Sequence, residues 1–508
     1  MPSDLSAARI ALAGTAVAVA ALVLTPAVYL VIRAADATGG VADQVWRART
    51  GELMWNTLRL AGAVTAASVL IGVGLAWCVS RWIGTGATRA VATALLTAPL
   101  AIPSYVSGFV WVRFFDGFEG YAAAVVVLTL SCYPLVMLPA IAALSGVGRS
   151  AEDAARTLGC GPVAAFLRVT VPRIRIAVAA GALLVALYTI SDFGGPAIVR
   201  YEPFTVGIYN AYNGSFDRSV AAVYGCLLAA MALVITLGER MIRRDDLSAG
   251  AGGGGERPSA GRRGWLAWVC VGIAIIVGVV FPVVGLIRQI MESQRVSLSV
   301  DAVLPAASAT LSLAAQAALV IVIVSLPVAL YTARPRSRLG GAVSITVYLG
   351  YALPGVTVAL SLVFAGIRLV PQWYQTVGLL LVAYTVLFLP VCVGPLRSSI
   401  ETSPRGLRDA ARTLGAGPLS TLVRVVLPAA APGALAGAAL VFVSVAKELP
   451  ATLMLAPLGT RTLATDMWSL NSQLSYGQSA VMGLALIVVS TVPMVLLSSL
   501  FSRSRVTA

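Results

Sequence analysis

The sequence contains no histidine. That absence removes zinc sites built on imidazole, Ser/His/Asp and Cys/His nucleophile machinery, and haem held by a proximal imidazole. Charge is scarce as well: Asp, Glu, Lys and Arg make up 11% of 508 residues, against 58% hydrophobic residues and a mean hydropathy of +0.89. A soluble globular domain carries roughly 25% charged residues, so an ordinary water-soluble chain is excluded. The six cysteines (Cys78, Cys132, Cys160, Cys226, Cys270, Cys392) form no Cys-x-x-Cys pair, and five lie in apolar stretches. They read as small core residues. No Gly-x-x-x-x-Gly-Lys-Ser/Thr phosphate loop occurs, and the run Gly252 to Gly255 lacks both the lysine and a flanking strand.

What the chain does have is apolar length. A helix crossing the hydrocarbon core needs roughly 20 apolar residues. Twelve stretches meet that need, near 10–32, 54–80, 90–112, 121–147, 176–199, 219–238, 265–287, 306–332, 341–367, 376–396, 431–455 and 479–500. The first exceeds the roughly 7 to 15 residues of a signal-peptide core and is expected to span. The chain is therefore predicted to be an all-α polytopic membrane protein. Its net charge of +15 would suggest nucleic acid in a soluble protein. Here the loops explain it: with the N-terminus inside, 24 of the 36 basic residues fall on the inner side, which carries the whole excess. Cytoplasmic loops are enriched in Arg and Lys, so both termini are placed in the cytoplasm and no nucleic-acid partner is expected. Residues 240–264, with Arg243-Arg244 and the glycine run, read as a flexible cytoplasmic linker.

The two sides of that linker repeat. Asp153-Ala154-Ala155-Arg156-Thr157-Leu158-Gly159 recurs as Asp409-Ala410-Ala411-Arg412-Thr413-Leu414-Gly415, at an offset of 256. The same offset relates Gly161-Pro162 to Gly417-Pro418, Pro172 to Pro428, Pro134 to Pro390 and Asp192 to Glu448. Repeat 1 is assigned to residues 1–239 with its loop at about 149–175, and repeat 2 to residues 265–508 with its loop at about 397–430. Each half has an even number of spans, so the repeats are parallel, with a pseudo-twofold axis along the membrane normal. Asp at the start of each seven-residue copy suits a helix N-terminus, the alanines leave room for a partner, and Gly-x-Gly-Pro ends the short helix. A second stretch then leads to the proline that opens the next span.

These loops resemble the EAA loop of the permeases of ATP-binding-cassette importers: Glu-Ala-Ala, three residues, Gly, nine residues, Ile-x-Leu-Pro. Here the pattern reads Asp153-Ala154-Ala155, Gly159 and Val169-Thr170-Val171-Pro172, then Asp409-Ala410-Ala411, Gly415 and Val425-Val426-Leu427-Pro428. Asp replaces Glu in both copies. The resemblance implies that each loop docks on an ATPase subunit, so that one chain takes two ATPase copies, with ATP and Mg on those partners and no cofactor on this chain. It implies, too, an extracytoplasmic binding protein that delivers cargo, a multi-pass place in the bacterial inner membrane, and no catalysis by this chain alone. Fusion of two halves, Ser191-Asp192-Phe193-Gly194 and Lys447-Glu448-Leu449-Pro450-Ala451-Thr452-Leu453 are similar to the ferric-iron branch. Ferric iron is the first expectation for cargo, with thiamine or another small solute such as a phosphonate or polyamine as the alternative.

Read as residues, Asp192 and Glu448 are carboxylates near the outer ends of helices five and eleven. Ionisable groups in spans usually face an interior or a water-filled cavity. Hard cations prefer oxygen, and Asp192, Glu448, Tyr188 and Ser444 offer transient ligands without a stable metal site. The competing reading is structural: Asp192 pairs with Arg200, and Glu448 with Lys447 or Arg461. Tyr201, Tyr209, Tyr212 and Trp468 read as aromatic-belt anchors. Pro103 and Pro354 fall inside helices three and nine, as hinges or as static kinks. A secondary transporter would share the span count and the charge asymmetry, but it gives no reason for two matched loops after helices four and ten.

Overall fold

The computed structural model describes residues 2–36, 40–83, 86–146, 150–214, 219–246, 264–293, 300–333, 338–402, 410–411 and 413–504. Among them there is no strand. The main helices are α1 (Pro2–Ala35), α2 (Ala48–Trp82), α3 (Ala87–Thr97), α4 (Ser104–Phe114), α5 (Gly120–Gly146), α6 (Val171–Ser191) and α7 (Ser219–Asp246). After the linker, most of which lies outside the described residues, come α8 (Gly264–Glu292), α9 (Val300–Thr332), α10 (Arg338–Ala352), α11 (Gly355–Leu369), α12 (Val377–Thr402), α13 (Leu427–Ala446) and α14 (Tyr476–Ser504). Nine of these runs are long and apolar enough to cross a membrane, and two bent pairs qualify jointly. The twelfth expected span falls within α14, whose residues Tyr476–Thr491 form an apolar helical stretch.

The bent pairs correct the sequence reading. Residues 90–112 and 341–367 are not single helices with a proline inside. Each breaks ahead of its proline, and Pro103 and Pro354 sit at the N-terminal boundary of α4 and α11. The first pair turns by 81° at this point. A residue preceding proline is disfavoured in the helical region, and Ile102 accordingly adopts ψ 119°. Proline also lacks the N–H that a helix start leaves unpaired anyway.

Pro172 and Pro428 behave in the opposite way. They were expected to open a span, yet helical structure runs through them from Pro162 and Pro418 by way of a five-residue π segment. Val171 N–H reaches back to the carbonyl of Phe166 and Leu427 N–H to that of Leu422, five residues away. The wider turn absorbs the proline without ending the helix. Spans five and eleven therefore begin near Val163 and Leu422, ahead of the expected starts.

The chain forms two compact units, and they are not the two sequence halves. One holds Met1–Gln44, Ala211–Ala229 and Ile290–Ala508; the other holds Val45–Asn210 and Ala230–Gln289. The first helix of each half thus packs within the unit built mainly by the other half. In the first unit, Ser361 Oγ donates to the Pro26 carbonyl at 2.7 Å and Tyr29 to the Phe364 carbonyl at 3.3 Å, fastening α1 to α11. In the second, Phe281 of α8 packs on Trp111 of α4 with ring centroids 4.6 Å apart. α1 and α8 are the least buried of the spans, whereas α5 and α12 are the most buried. Close approach at those centres needs small residues: a Cβ on Gly181 would meet the Val136 Cα at 2.8 Å, and one on Gly437 the Cys392 Sγ at 2.7 Å. Gly181 and Gly437 are themselves 256 residues apart, so the repeat extends to the packing of α5 on α6 and α12 on α13.

Candidate functional site

The two repeated loops fold alike where both are described. In the first, Ser150–Thr157 is helical and Gly159 takes φ 87°. Cys160 N–H bonds the Ala155 carbonyl at 3.0 Å, closing a glycine-ended helix terminus. In the second, Gly415 takes φ 82° and Ala416 N–H bonds the Ala411 carbonyl at 2.9 Å. Thr157 and Thr413 return their hydroxyls to Ala154 and Ala410, each at 2.8 Å. Asp153 is the fourth residue of its helix and so lies past the N-terminal cap suggested for it; Asp409 and Arg412 lie outside the described residues. Ala154, Ala410 and both glycines are exposed, and Ala155 and Ala411 are half-buried.

Sequence reasoning passed over the residue at the apex. Leu158 is 85% exposed and Leu414 86%, among the most exposed large apolar side chains in the chain. Val163 and Leu167 extend that face in the first copy, and Val423 does so in the second. A leucine between threonine and glycine in a polar loop was the available signal: it has nothing of its own chain to cover. Both copies thus expose a large apolar side chain at the equivalent position.

The acids occupy a second recurring arrangement. α6 ends at Ser191 and α13 at Ala446, so Asp192 and Glu448 stand in breaks, each followed by a short helix, Gly194–Ile198 or Pro450–Leu455. Asp192 Oδ1 accepts Gly195 N–H at 2.8 Å, and its Oδ2 accepts the Ser104 hydroxyl at 2.6 Å. Glu448 Oε1 accepts Ala451 N–H at 2.9 Å, the equivalent donor. Its Oε2 accepts Thr452 N–H at 2.9 Å and the Thr452 hydroxyl at 2.8 Å, and Tyr384 lies 2.8 Å beyond on Thr452. Each carboxylate thus caps the short helix that follows it.

The two arginines considered above as partners of these acids pair with other acids. Arg200 pairs with Glu119 at 3.2 Å, and Arg461 with Asp466 at 2.8 Å. Of the other proposed ligands, Tyr188 accepts the Asp192 N–H on its carbonyl at 2.9 Å, while Ser444 donates to its own helix at the Leu440 carbonyl, 2.8 Å away. Asp192 belongs to one compact unit and Glu448 to the other. Tyr201 is no belt anchor: it is buried, donates to the Asn56 carbonyl at 2.9 Å and accepts from Arg59 Nε at 2.8 Å. Among the described residues, no three Cys, Asp or Glu side chains gather in a way that would hold a metal ion.

Comparison with known proteins follows the two sequence halves. The family model of the binding-protein-dependent transport system inner membrane component matches residues 68–245 and 325–506, leaving out α1 and α8. The chain is 32% identical over 482 residues to the Fe(3+)-transport system permease protein FbpB 2 of Haemophilus influenzae, covering 93% of this chain and 94% of that protein. It is 31% identical over 187 residues to the molybdenum transport system permease protein ModB of Azotobacter vinelandii, covering 34% of this chain and 81% of that one. To the sulfate transport system permease protein CysW of Escherichia coli it is 25% identical over 204 residues, 36% of this chain and 69% of that one. With the model matched in both halves and a relative aligned almost end to end, the chain belongs to the family of binding-protein-dependent transport system inner membrane components, as a multi-pass membrane permease carrying two copies of the family's unit.

Proposed function

We propose that this chain is the membrane subunit of an ATP-driven importer and that its cargo is ferric iron. The observation that carries the first part is the pair of Gly-ended helical turns, each presenting an exposed leucine at the same place in its repeat. Each turn is the docking element for one ATPase subunit, so a single chain binds two, and ATP and Mg reside on them. Arg-rich loops put these turns and both termini on the cytoplasmic side. A binding protein meets the opposite face and delivers the cargo.

The cargo reading is supported by the length of the match. The iron permease aligns with both repeats, whereas the molybdenum and sulfate permeases each cover about a third of this chain, at 34% and 36%. For the path, the candidates in one unit are Asp192 and Tyr188 and in the other Glu448 and Ser444, and any ligation of ferric iron is transient. A carboxylate already occupied by backbone donors offers an ion only a weak contact, which passage requires.

The test is uptake by a deletion strain and its complemented counterpart, with radiolabelled ferric iron, thiamine, molybdate and sulfate supplied separately. Iron uptake restored by the intact chain alone supports the assignment; restoration of another solute without iron overturns it. Native mass spectrometry of the purified complex should give one permease chain to two ATPase subunits, and two permease chains per ATPase pair would refute docking through both loops.

A further inference from the structure

The seven repeated residues are preceded by different ones. Glu152 stands before the first copy and Arg408 before the second. Glu152 is where the first loop is tied to the membrane helices. Arg81 Nη2, in the last turn of α2, lies 3.0 Å from Glu152 Oε2, with side chains only 8% and 12% exposed. Thr170 Oγ1, in the π segment that leads into α6, donates to the same oxygen at 3.3 Å. One carboxylate therefore connects the short helix Ser150–Thr157 to the end of α2 and the start of α6.

The second copy carries other chemistry at two of the three positions. Thr57 on α2 accepts Phe204 N–H at 2.9 Å, and Thr310 on α9 accepts Leu463 N–H at 2.9 Å, so the two threonines are equivalent and α2 aligns with α9 at an offset of 253. At that offset Arg81 corresponds to Arg334, and at 256 Glu152 corresponds to Arg408 and Thr170 to Val426. By sequence, an Arg–Glu–Thr set becomes Arg, Arg and Val, a set with no carboxylate to accept from arginine; Arg334 and Arg408 lie outside the described residues.

We propose that the two loops are mechanically unequal: Glu152 is a positioning residue that fastens the first docking helix to α2 and α6, and the second loop has residues that cannot make this fastening. The proposal rests on reading the loops as ATPase-docking elements. A buried pair holds its geometry where an exposed one does not, because withdrawing one partner strands the other charge. A displacement of Leu158 by a closing ATPase then moves two spans at once. The second loop has no carboxylate at the equivalent position through which to pass the same displacement.

The experiment uses the whole complex in proteoliposomes, reading ATPase retention and the fold-stimulation of ATP hydrolysis by the cognate binding protein, which needs no knowledge of the cargo. In Glu152→Gln the ATPase should still co-purify, since Leu158 and Gly159 are untouched, while stimulation falls roughly fivefold or more, the lower end of ordinary coupling energies. Thr170→Val should give a smaller fall, and the exchange Arg81→Glu with Glu152→Arg should recover most of the stimulation. Arg408→Gln in the second loop should leave it unchanged. Undiminished stimulation in Glu152→Gln overturns the proposal, as does an exchange variant no better than the single change. Should Glu152→Gln accumulate poorly, the exchange variant decides by itself, recovery per complex supporting the pair and none refuting it. If no ATPase co-purifies with the native chain, the docking reading fails before any variant is compared.

Discussion

Removing the negative charge from Glu448 and from Asp192 should have unequal consequences, and the hydrogen bonds give their sizes. Glu448 is 8% exposed and accepts from Ala451 N–H, Thr452 N–H and the Thr452 hydroxyl. In Glu448→Gln one oxygen remains, and the new amide group must face a backbone N–H, donor against donor. A buried donor without an acceptor costs about 1 to 3 kcal/mol, and loss of charge from the surviving bond removes about 1 kcal/mol more. The expected loss is therefore about 2 to 4 kcal/mol, enough to lower the thermal midpoint in nanodiscs visibly. In Asp192→Asn, Oδ1 keeps Gly195 N–H, and the hydroxyl of Ser104 rotates to accept from the new amide. That variant should lose only about 1 kcal/mol, the difference between a charged and a neutral hydrogen bond.

A pair of equal cargo ligands gives the contrary pattern. Both single changes would then lower iron flux per molecule to a similar degree, with thermal midpoints close to that of the parent. The assay is scanning calorimetry together with iron flux per reconstituted complex, each normalised to folded protein. A Glu448→Gln variant with an unchanged midpoint would refute the capping argument whatever its flux. A double variant with normal flux per complex would end the proposal that the acids border the path.

Three further outcomes follow from the geometry. Gly159→Ala should cost about 1 to 2 kcal/mol locally because φ is 87°, without any clash, since nothing lies within 4 Å of the added Cβ; the readout is ATPase retention on the purified permease, and full retention in the Gly159→Ala, Gly415→Ala double variant would count against these turns as docking elements. Leu158→Ser and Leu414→Ser remove side chains 85% and 86% exposed, so the thermal midpoint should not move, while each loss weakens ATPase binding by about 1.5 to 3 kcal/mol if the leucine is buried on docking; titration of ATPase onto the variants measures it, and unchanged affinity refutes the contact. Cys78 on α2 and Cys270 on α8 are free and pack in one apolar cluster, so oxidation followed by proteolysis in the linker should leave the two fragments joined under non-reducing electrophoresis, and clean separation would count against their close approach.

The spans and the loops were legible because both signals are local. Apolar length identifies a span, and seven residues repeated at an offset of 256 identify a loop. What a span packs against is not written in the same code. α1 and α8 are apolar around their circumference, as lipid demands, so no stripe names their neighbours, and their residence in the other half's unit had no signal in the sequence. The prolines were readable in principle. Ile102 and Leu353 precede Pro103 and Pro354, and a residue before proline leaves the helical region, which argues for a break ahead of the proline and not a kink within a helix. Pro172 escapes that rule only because the π segment lets Val171 bond five residues back, a choice made by packing.

The acids show how a repeat conserves a task while changing the atoms that perform it. Both carboxylates accept the N–H three residues on, from Gly195 or Ala451, and a capping signature of Asp or Glu ahead of a short helix was present in both stretches. Ion pairing was considered instead because arginines were near in sequence. The second oxygen is where the copies diverge. In repeat 1 the residue after Gly195 is Pro196, which has no N–H to offer, and Ser104 at the start of α4 supplies the donor. In repeat 2 the corresponding residue is Thr452, which supplies two donors, and Gly355 at the start of α11 supplies none. The glycine instead makes room: a Cβ there would stand 3.2 Å from Glu448 Oε1, a tight contact. Aspartate with serine and proline, and glutamate with glycine and threonine, are each self-consistent sets. The exchange of Asp for Glu between the halves thus comes with changed donors at both neighbouring positions and leaves the cap in place.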